Sequence, residues 1–426
     1  MVVVTFGTPR PTRADGAFPE SFQLVAPAAS PQKLALGTNF GVFLSDDDGA
    51  TWTWTCEQRQ TSMASLYNVG PPPLDRFFSL SPLVGLAYSD DGSCTWTQAT
   101  GTIMSLVARD YFPDPTNAMR VLALAAPLLG TPGELLPSSD GGATFGAPLF
   151  TAPATGTLAS VEIARSDPQT IYLAMTTTTV EAGKTLTHPS LVRSMDGGTT
   201  WTPLDVEAAL GQFNFLIIAV DPLDAKTLTL RVIEQSGESI AVSTDGGVTF
   251  KKTLTVAGAQ FTAYARLDSG TELLGGVVNT TAVGYRSTDG GLTFTPWTSA
   301  PLLHLRALAT RGGKLYAAAK NYSDNIGVAV STDEGATFTK LMQYDEVKSI
   351  QACAQAACAE SCLYQSTQAI WDKSVCGAPT TMMPPPAAKG GCGCGLVAPG
   401  GRRAVGTGVV GLAALCLLAR GRRPRR

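Results

Sequence analysis

Ser45-Asp-Asp-Asp-Gly-Ala-Thr-Trp52 is the stretch that decides the fold. Its residue types follow a pattern, Ser-x-Asp-x-Gly-x-Thr-aromatic, that makes sense as a turn. An Asp carboxylate accepts backbone N–H bonds two residues on and closes a loop on itself. The glycine supplies a positive φ without Cβ strain. The Ser and Thr hydroxyls satisfy further backbone groups. The closing Trp or Phe starts a strand and is expected to bury its ring, as at Trp52, Trp201, Phe250 and Phe294. Each residue of this box thus has an architectural task.

The box recurs at Ser138–Phe145, Ser194–Trp201, Ser243–Phe250, Ser287–Phe294 and Ser331–Phe338. A degenerate copy, Ser89–Trp96, carries Ser93 where glycine is expected. The starting serines lie 44, 49, 56, 49, 44 and 44 residues apart. Four short strands with their turns occupy about that length, which is one blade of a β-propeller. Alternating segments precede the boxes. Phe213–Val220, Thr227–Val232 and Ser239–Ser243 read as three strands of a fifth blade, and Ser160–Ala164, Ile171–Met175 and Ser190–Ser194 as three of a fourth. The first blade begins near Ser21 and continues through Lys33–Leu36 and Val42–Ser45. Asp167-Pro168 and Asp221-Pro222 mark turns at the ends of inner strands. The expectation is an all-β, seven-bladed propeller over residues 20–345, with little helix outside the C-terminal tail.

The repeat resembles the Asp-box, or BNR-repeat, superfamily, which includes sialidases, sortilin-type receptors, xyloglucan hydrolases and photosystem assembly factors. The resemblance implies that the box is a structural turn between the outer two strands of each blade. Asp47, Asp91, Asp140, Asp196, Asp245, Asp289 and Asp333 are then structural aspartates rather than catalytic groups or calcium ligands. A shared fold does not name a function.

Composition narrows the class. Hydrophobic residues make up 44% and charged residues 15% of the 426, ample for a core and too apolar for a disordered chain. The net charge of −3 hides an asymmetry, since residues 392–426 hold seven Arg and no acid. Taking those seven from the 31 basic residues leaves 24 against 34 acidic ones. An acidic body argues against nucleic acid as a partner, because phosphate binding needs a basic face.

Cys56, Cys94, Cys353, Cys358, Cys362 and Cys376 form an even set, four of them crowded into 353–376. Disulfides in an exported protein fit this set, and a zinc site of four cysteines is the alternative. Residues 346–376 read as a Cys-stapled segment closing the ring, or as a partial eighth blade. Residues 377–391, with Pro384-Pro-Pro386, read as an extended linker. Residues 1–19 form an N-terminal remnant. Met1-Val-Val-Val-Thr-Phe-Gly7 lacks the basic n-region of a signal peptide, so export implies a leader ahead of the given start.

The tail, 392–426, begins with Cys392-Gly-Cys394, continues into an apolar run at 404–419 and ends Arg420-Gly-Arg-Arg-Pro-Arg-Arg426. A 16-residue helix there would span about 24 Å, short of the ~30 Å hydrocarbon core. Terminal Arg clusters stay on the cytoplasmic side. The layout resembles the MYXO-CTERM tail of myxobacterial surface proteins. That resemblance implies cleavage by a sorting protease near Cys392 and Cys394, lipid on the retained cysteine, transient inner-membrane anchoring and delivery to the outer membrane. A plain tail anchor is the alternative.

A catalytic site is not evident. The Arg-Ile-Pro element of sialidases is absent and the arginines map onto no triad. Arg193 and Arg286, each directly before a box serine, read as outer-strand surface residues. Glycoside hydrolysis needs two facing carboxylates, and Asp110, Asp114, Glu162 and Asp221 are the candidates, Glu162 and Asp110 foremost. Glu162 could instead pair with Arg165. His188 and His304 have no helical metal-pair spacing, and no cofactor motif is present. The sequence therefore favours a non-catalytic surface propeller holding a protein, peptide or glycan, with a sialidase- or xyloglucanase-like hydrolase as the alternative.

Overall fold

A computed structural model describes residues 19–57, 66–81, 84–128 and 130–377. Seven four-stranded antiparallel sheets follow one another along the chain, each a blade whose strands neighbour in sequence order. Blade 1 is Ser21–Val25, Leu34–Thr38, Gly41–Ser45 and Thr53–Thr55; blade 2 is Leu66–Val69, Phe77–Ser81, Gly85–Ser89 and Thr97–Gln98. Blade 3 is Val107–Pro113, Val121–Ala126, Glu134–Ser138 and Phe150–Thr151; blade 4 is Thr157–Ile163, Ile171–Glu181, Lys184–Ser194 and Thr202–Asp205. Blade 5 is Asn214–Val220, Leu228–Glu234, Gly237–Ser243 and Lys251–Ala257; blade 6 is Ala259–Arg266, Glu272–Val278, Thr281–Ser287 and Thr295–Pro296. Blade 7 is Leu305–Arg311, Lys314–Ala319, Val328–Ser331 and Thr339–Met342.

The second strand of a blade is covered on both faces by its neighbours, so its sequence reads as a continuous apolar run instead of alternating. Val121-Leu-Ala-Leu-Ala-Ala126 is buried at every position. The core accordingly lies between blades. Leu122 and Leu124 of blade 3 share one cluster with Val161, Ile163 and Leu173 of blade 4.

Each box is the turn between the third and fourth strands. In blade 3, Ser138 Oγ donates to Asp140 Oδ1 at 2.7 Å and accepts from Gly142 N at 2.8 Å. Thr144 donates its N–H to Asp140 Oδ1 at 2.9 Å and its hydroxyl to Oδ2 at 2.6 Å. The same four bonds occur around Asp47, Asp91, Asp196, Asp245, Asp289 and Asp333. Ser93 takes the glycine position at φ 77°. The closing aromatics are less uniformly buried than the sequence led us to expect. Trp52 is buried, whereas Trp201, Phe250 and Phe294 are half-buried, because they cap the rim of the inter-blade core.

Blades 7 and 1 close the ring without exchanging a strand. Ser21 Oγ donates to Ala319 O at 3.3 Å, and Leu36 and Phe43 share a cluster with Tyr316 and Val328. Beyond blade 7, Ser349–Ile350 adds to blade 1 as a fifth strand, parallel to Thr53–Trp54. A helix, Gln355–Thr367, follows, against the expectation of little helix. Three disulfides fix this segment: Cys56–Cys358, Cys94–Cys353 and Cys362–Cys376. No described helix is long and apolar enough to cross a membrane. Cys392, Cys394 and the expected helix at 404–419 lie outside the described residues.

Candidate functional site

Asp110 and Glu162 are brought together. They sit on the inner strands of blades 3 and 4, and Asp110 Oδ2 accepts the N–H of Val161 at 3.1 Å, one residue from Glu162. Ser160 occupies in blade 4 the register position of Asp110, and its Oγ accepts the N–H of Ile217 in blade 5 at 2.9 Å. Gln23 does the same for Tyr67 N across blades 1 and 2. Asp110 is thus one of a series of inner-strand acceptors that satisfy the next blade's free amide. Burial pushes its carboxyl up to about 7, against the opposing pull of the Val161 and Tyr111 amides. Burial, then the charge of Asp110, holds the Glu162 carboxyl well above the usual range. Two carboxyls so placed cannot both ionise readily near neutrality. Among the described residues the Glu162 side chain makes no hydrogen bond or ion pair, with Arg165 or any other group.

The two remaining carboxylate candidates stand elsewhere and are occupied. Asp114 closes the turn after the blade 3 inner strand, accepting from Thr116 N at 2.8 Å and pairing with Arg120 at 3.3 Å. Asp221 accepts from Leu223 N at 2.8 Å and pairs with Arg266 at 2.8 Å. Arg266 also meets the buried Glu272 at 3.2 Å.

The arginines are structural ties, which the sequence did not disclose. Arg193 and Arg286 are not free surface groups. Arg193 Nη1 donates to Gly246 O in the box of blade 5 at 2.7 Å, and Arg286 pairs with Glu334 in the box of blade 7 at 2.8 Å. Arg76 of blade 2 donates to Gly141 O in the box of blade 3 at 2.8 Å. Arg120 of blade 3 reaches Pro168 O at 2.7 Å and Gly197 O at 3.3 Å in blade 4. Arg311 of blade 7 meets Asp48 in the box of blade 1 at 2.5 Å. A planar, multi-donor guanidinium suits this bridging of carbonyls. Five of the seven boxes, those of blades 1, 3, 4, 5 and 7, therefore have two tasks: each turns its own chain and offers acceptors to the preceding blade.

Both histidines are engaged as well. His188 Nδ1 lies 2.8 Å from Glu207 Oε2, and its Nε2 lies 2.9 Å from Thr179 Oγ1. His304 Nδ1 lies 2.7 Å from Asp324 Oδ1. Among the described residues no group of three or more His, Cys, Asp or Glu side chains is arranged to hold a metal ion. All six described cysteines are in disulfides, which excludes the four-cysteine zinc alternative. A cleft of about 360 Å³ opens between the boxes of blades 1 and 2, with Leu34, Leu44 and Phe77 beside Lys33, Asp46 and Asp75.

No family model and no curated protein matches the chain. Solved structures do. The β-propeller domain of the Trilobed protease from Pyrococcus furiosus matches with a TM-score of 0.51 at 7% identity, over 77% of this chain and 99% of that one. A puromycin-hydrolyzing peptidase of Mycobacterium tuberculosis matches with a TM-score of 0.51 at 14% identity, over 78% of this chain and 54% of that one. YCF48 from Cyanidioschyzon merolae matches with a TM-score of 0.49 at 14% identity, over 76% and 96%. GH74 enzymes and a microbial sialidase lie at lower TM-scores, and the chain spans 54% of the length of an ancestral GH74 enzyme. At these identities the likeness is one of fold: the chain is a seven-bladed β-propeller whose structural neighbours include GH74 and sialidase chains.

Proposed function

We propose that this chain is a non-catalytic propeller of the Asp-box kind that holds a protein, peptide or glycan at the outer surface of the cell. One observation carries this reading: the charged groups a glycan-cleaving site would require are spent on architecture. Arg76, Arg120, Arg193, Arg286 and Arg311 bind the next blade's box, so they are not gathered around a substrate carboxylate. Asp110 satisfies an inter-blade amide, and Asp114 and Asp221 are bound by Arg120 and Arg266. The test is turnover of fluorogenic sialosides and xyloglucan oligosaccharides by the purified chain. We expect no release above the uncatalysed rate. Release that disappears on Glu162→Gln would replace this reading with the hydrolase.

That hydrolase, sialidase- or xyloglucanase-like, is favoured by one observation only. Glu162 is an inner-strand carboxyl with no side-chain partner among the described residues, and burial and the neighbouring Asp110 raise its pKa, the direction a general acid requires.

Export fits the same reading. Three disulfides belong to an oxidising compartment. In this account the tail resembling MYXO-CTERM is cut near Cys392–Cys394 by a sorting protease, and a lipidated cysteine retains the propeller on the outer membrane. One acyl chain binds membrane marginally, so two or more are required.

A further inference from the structure

In blade 4 the second and third strands overrun their neighbours. Ile171–Glu181 and Lys184–Ser194 are 11 residues each. They pair without irregularity from Ile171↔Ser194 to Glu181↔Lys184. The inner strand stops at Thr157, opposite Thr176. The chain before it turns away, with Gly156 N bonded to Pro153 O and Gly156 O accepting from Gly133 of blade 3. On the side away from the third strand, Thr177–Glu181 therefore presents an edge with no strand paired to it among the described residues. Blades 5 and 6 show no such overhang, since their inner strands begin opposite Ile233 and Val278, near the hairpin tips.

The opposite side of this ribbon is braced. His188 on the third strand joins Glu207 at 2.8 Å and Thr179 at 2.9 Å, and Gln212 Nε2 donates to Glu207 Oε1 at 2.8 Å. These contacts tie the third strand to the second on that side. Exposed edges are ordinarily blunted by charge, proline or a bulge. Thr176-Thr-Thr-Thr-Val180 has none of these, consists of strong β-formers, and leaves Val180 74% exposed.

We propose that the Thr177–Glu181 edge docks an extended, uncharged peptide segment of a partner protein as an added β-strand. This rests on the binding reading above and names its partner class. A row of unpaired amides and carbonyls is matched by another extended backbone. The edge carries Glu181 alone, offset across the hairpin by Lys184, so charge complementarity selects a partner strand without charge. A second copy of this chain is the poorer occupant. Five paired residues bury far less than the ~1,000 Å² a stable dimer needs, whereas a peptide can wrap on along the threonine faces.

The experiment uses the full chain and a short fluorescein-labelled peptide of alternating threonine and valine, read by anisotropy. Two further forms carry N-methyl groups on one or the other set of alternate residues. In strand pairing alternate N–H groups face the protein. We expect one methylated form to bind like the parent and the other to lose at least about tenfold. A shortened variant, with Thr178–Thr187 replaced by an Asn-Gly turn so that Thr177 and His188 remain the closing pair, should keep its melting temperature and lose the peptide. Absence of parent binding, equal binding of both methylated forms, or full binding by the shortened variant would each overturn the assignment. None of these outcomes bears on turnover, which alone decides the underlying reading.

Discussion

Arg193 Nη1 donates to the carbonyl oxygen of Gly246 at 2.7 Å, so a residue of blade 4 holds the box of blade 5. The contact spans 53 residues and recurs in kind at Arg76, Arg120, Arg286 and Arg311. Arg193→Ala leaves that carbonyl without its donor and should cost about 1–3 kcal/mol in urea denaturation. Lys at 193 should not restore it, because a point charge does not reproduce the guanidinium. Arg165→Ala, at an exposed position with no side-chain partner among the described residues, should change stability by less than about 0.5 kcal/mol.

Ser93 offers a stabilising change. It holds φ 77° in a position where six other boxes have glycine. Its hydroxyl accepts from Trp96 Nε1 at 3.3 Å. In the boxes of blades 1 and 4 the tryptophan donates instead to the glycine carbonyl, at 3.0 Å in both Gly49 and Gly198. Ser93→Gly should let Trp96 do the same while relieving the backbone, raising stability by about 1 kcal/mol. A lower melting temperature in the variant would show that the hydroxyl is needed.

The disulfides should rank by the loop each closes. Cys56–Cys358 and Cys94–Cys353 span 302 and 259 residues, and Cys362–Cys376 spans 14. The two long bridges are nested, so loss of either with the other intact releases only the loop of roughly 40 residues between them, on the order of 4 kcal/mol, against about 3 kcal/mol for the short one. Paired Cys→Ala variants compared by denaturation should fall in that order. Loss of the short bridge costing more than a long one would place its role in packing the helix Gln355–Thr367 instead.

Asp110 sets a pH dependence with a definite sign. Its folded pKa of about 7 lies above the ordinary 3.8, so the folded chain binds this proton more tightly. The contribution to stability is full below about pH 4 and is lost as pH rises toward 7, by on the order of 2–4 kcal/mol. Asp110→Asn keeps an acceptor for Val161 N and removes the ionisation. Its stability should exceed that of the parent at pH 8, with a flatter profile between pH 4 and 7. Equal profiles would mean that Asp110 is ionised and solvated in the folded state.

The boxes were legible because each is closed by bonds within four residues, so residue type and spacing suffice. Asp114 and Asp221 read as candidate acids because their arginine partners are visible only once the inner strands and their turns are folded. Arg193 and Arg286 looked like surface residues for a related reason: their acceptors lie in the next blade. Gln355–Thr367 went unrecognised because its cysteines read as a disulfide cluster. Yet Cys358 and Cys362, four residues apart among alanines, share one helix face, and both are buried. The overhang of blade 4 is written in the threonine run, but only the ending of the inner strand at Thr157 makes it an edge.

The most direct test is to recover what the propeller binds and weigh it. The full chain is exposed to a mixed set of sialylated and xyloglucan oligosaccharides and extended peptides, and bound material is released and measured by mass spectrometry. The account predicts that every retained compound returns at its original mass, with Glu162→Gln retaining the same set. Compounds returned shortened by hydrolysis of one bond, and intact from the Glu162→Gln variant, would contradict it.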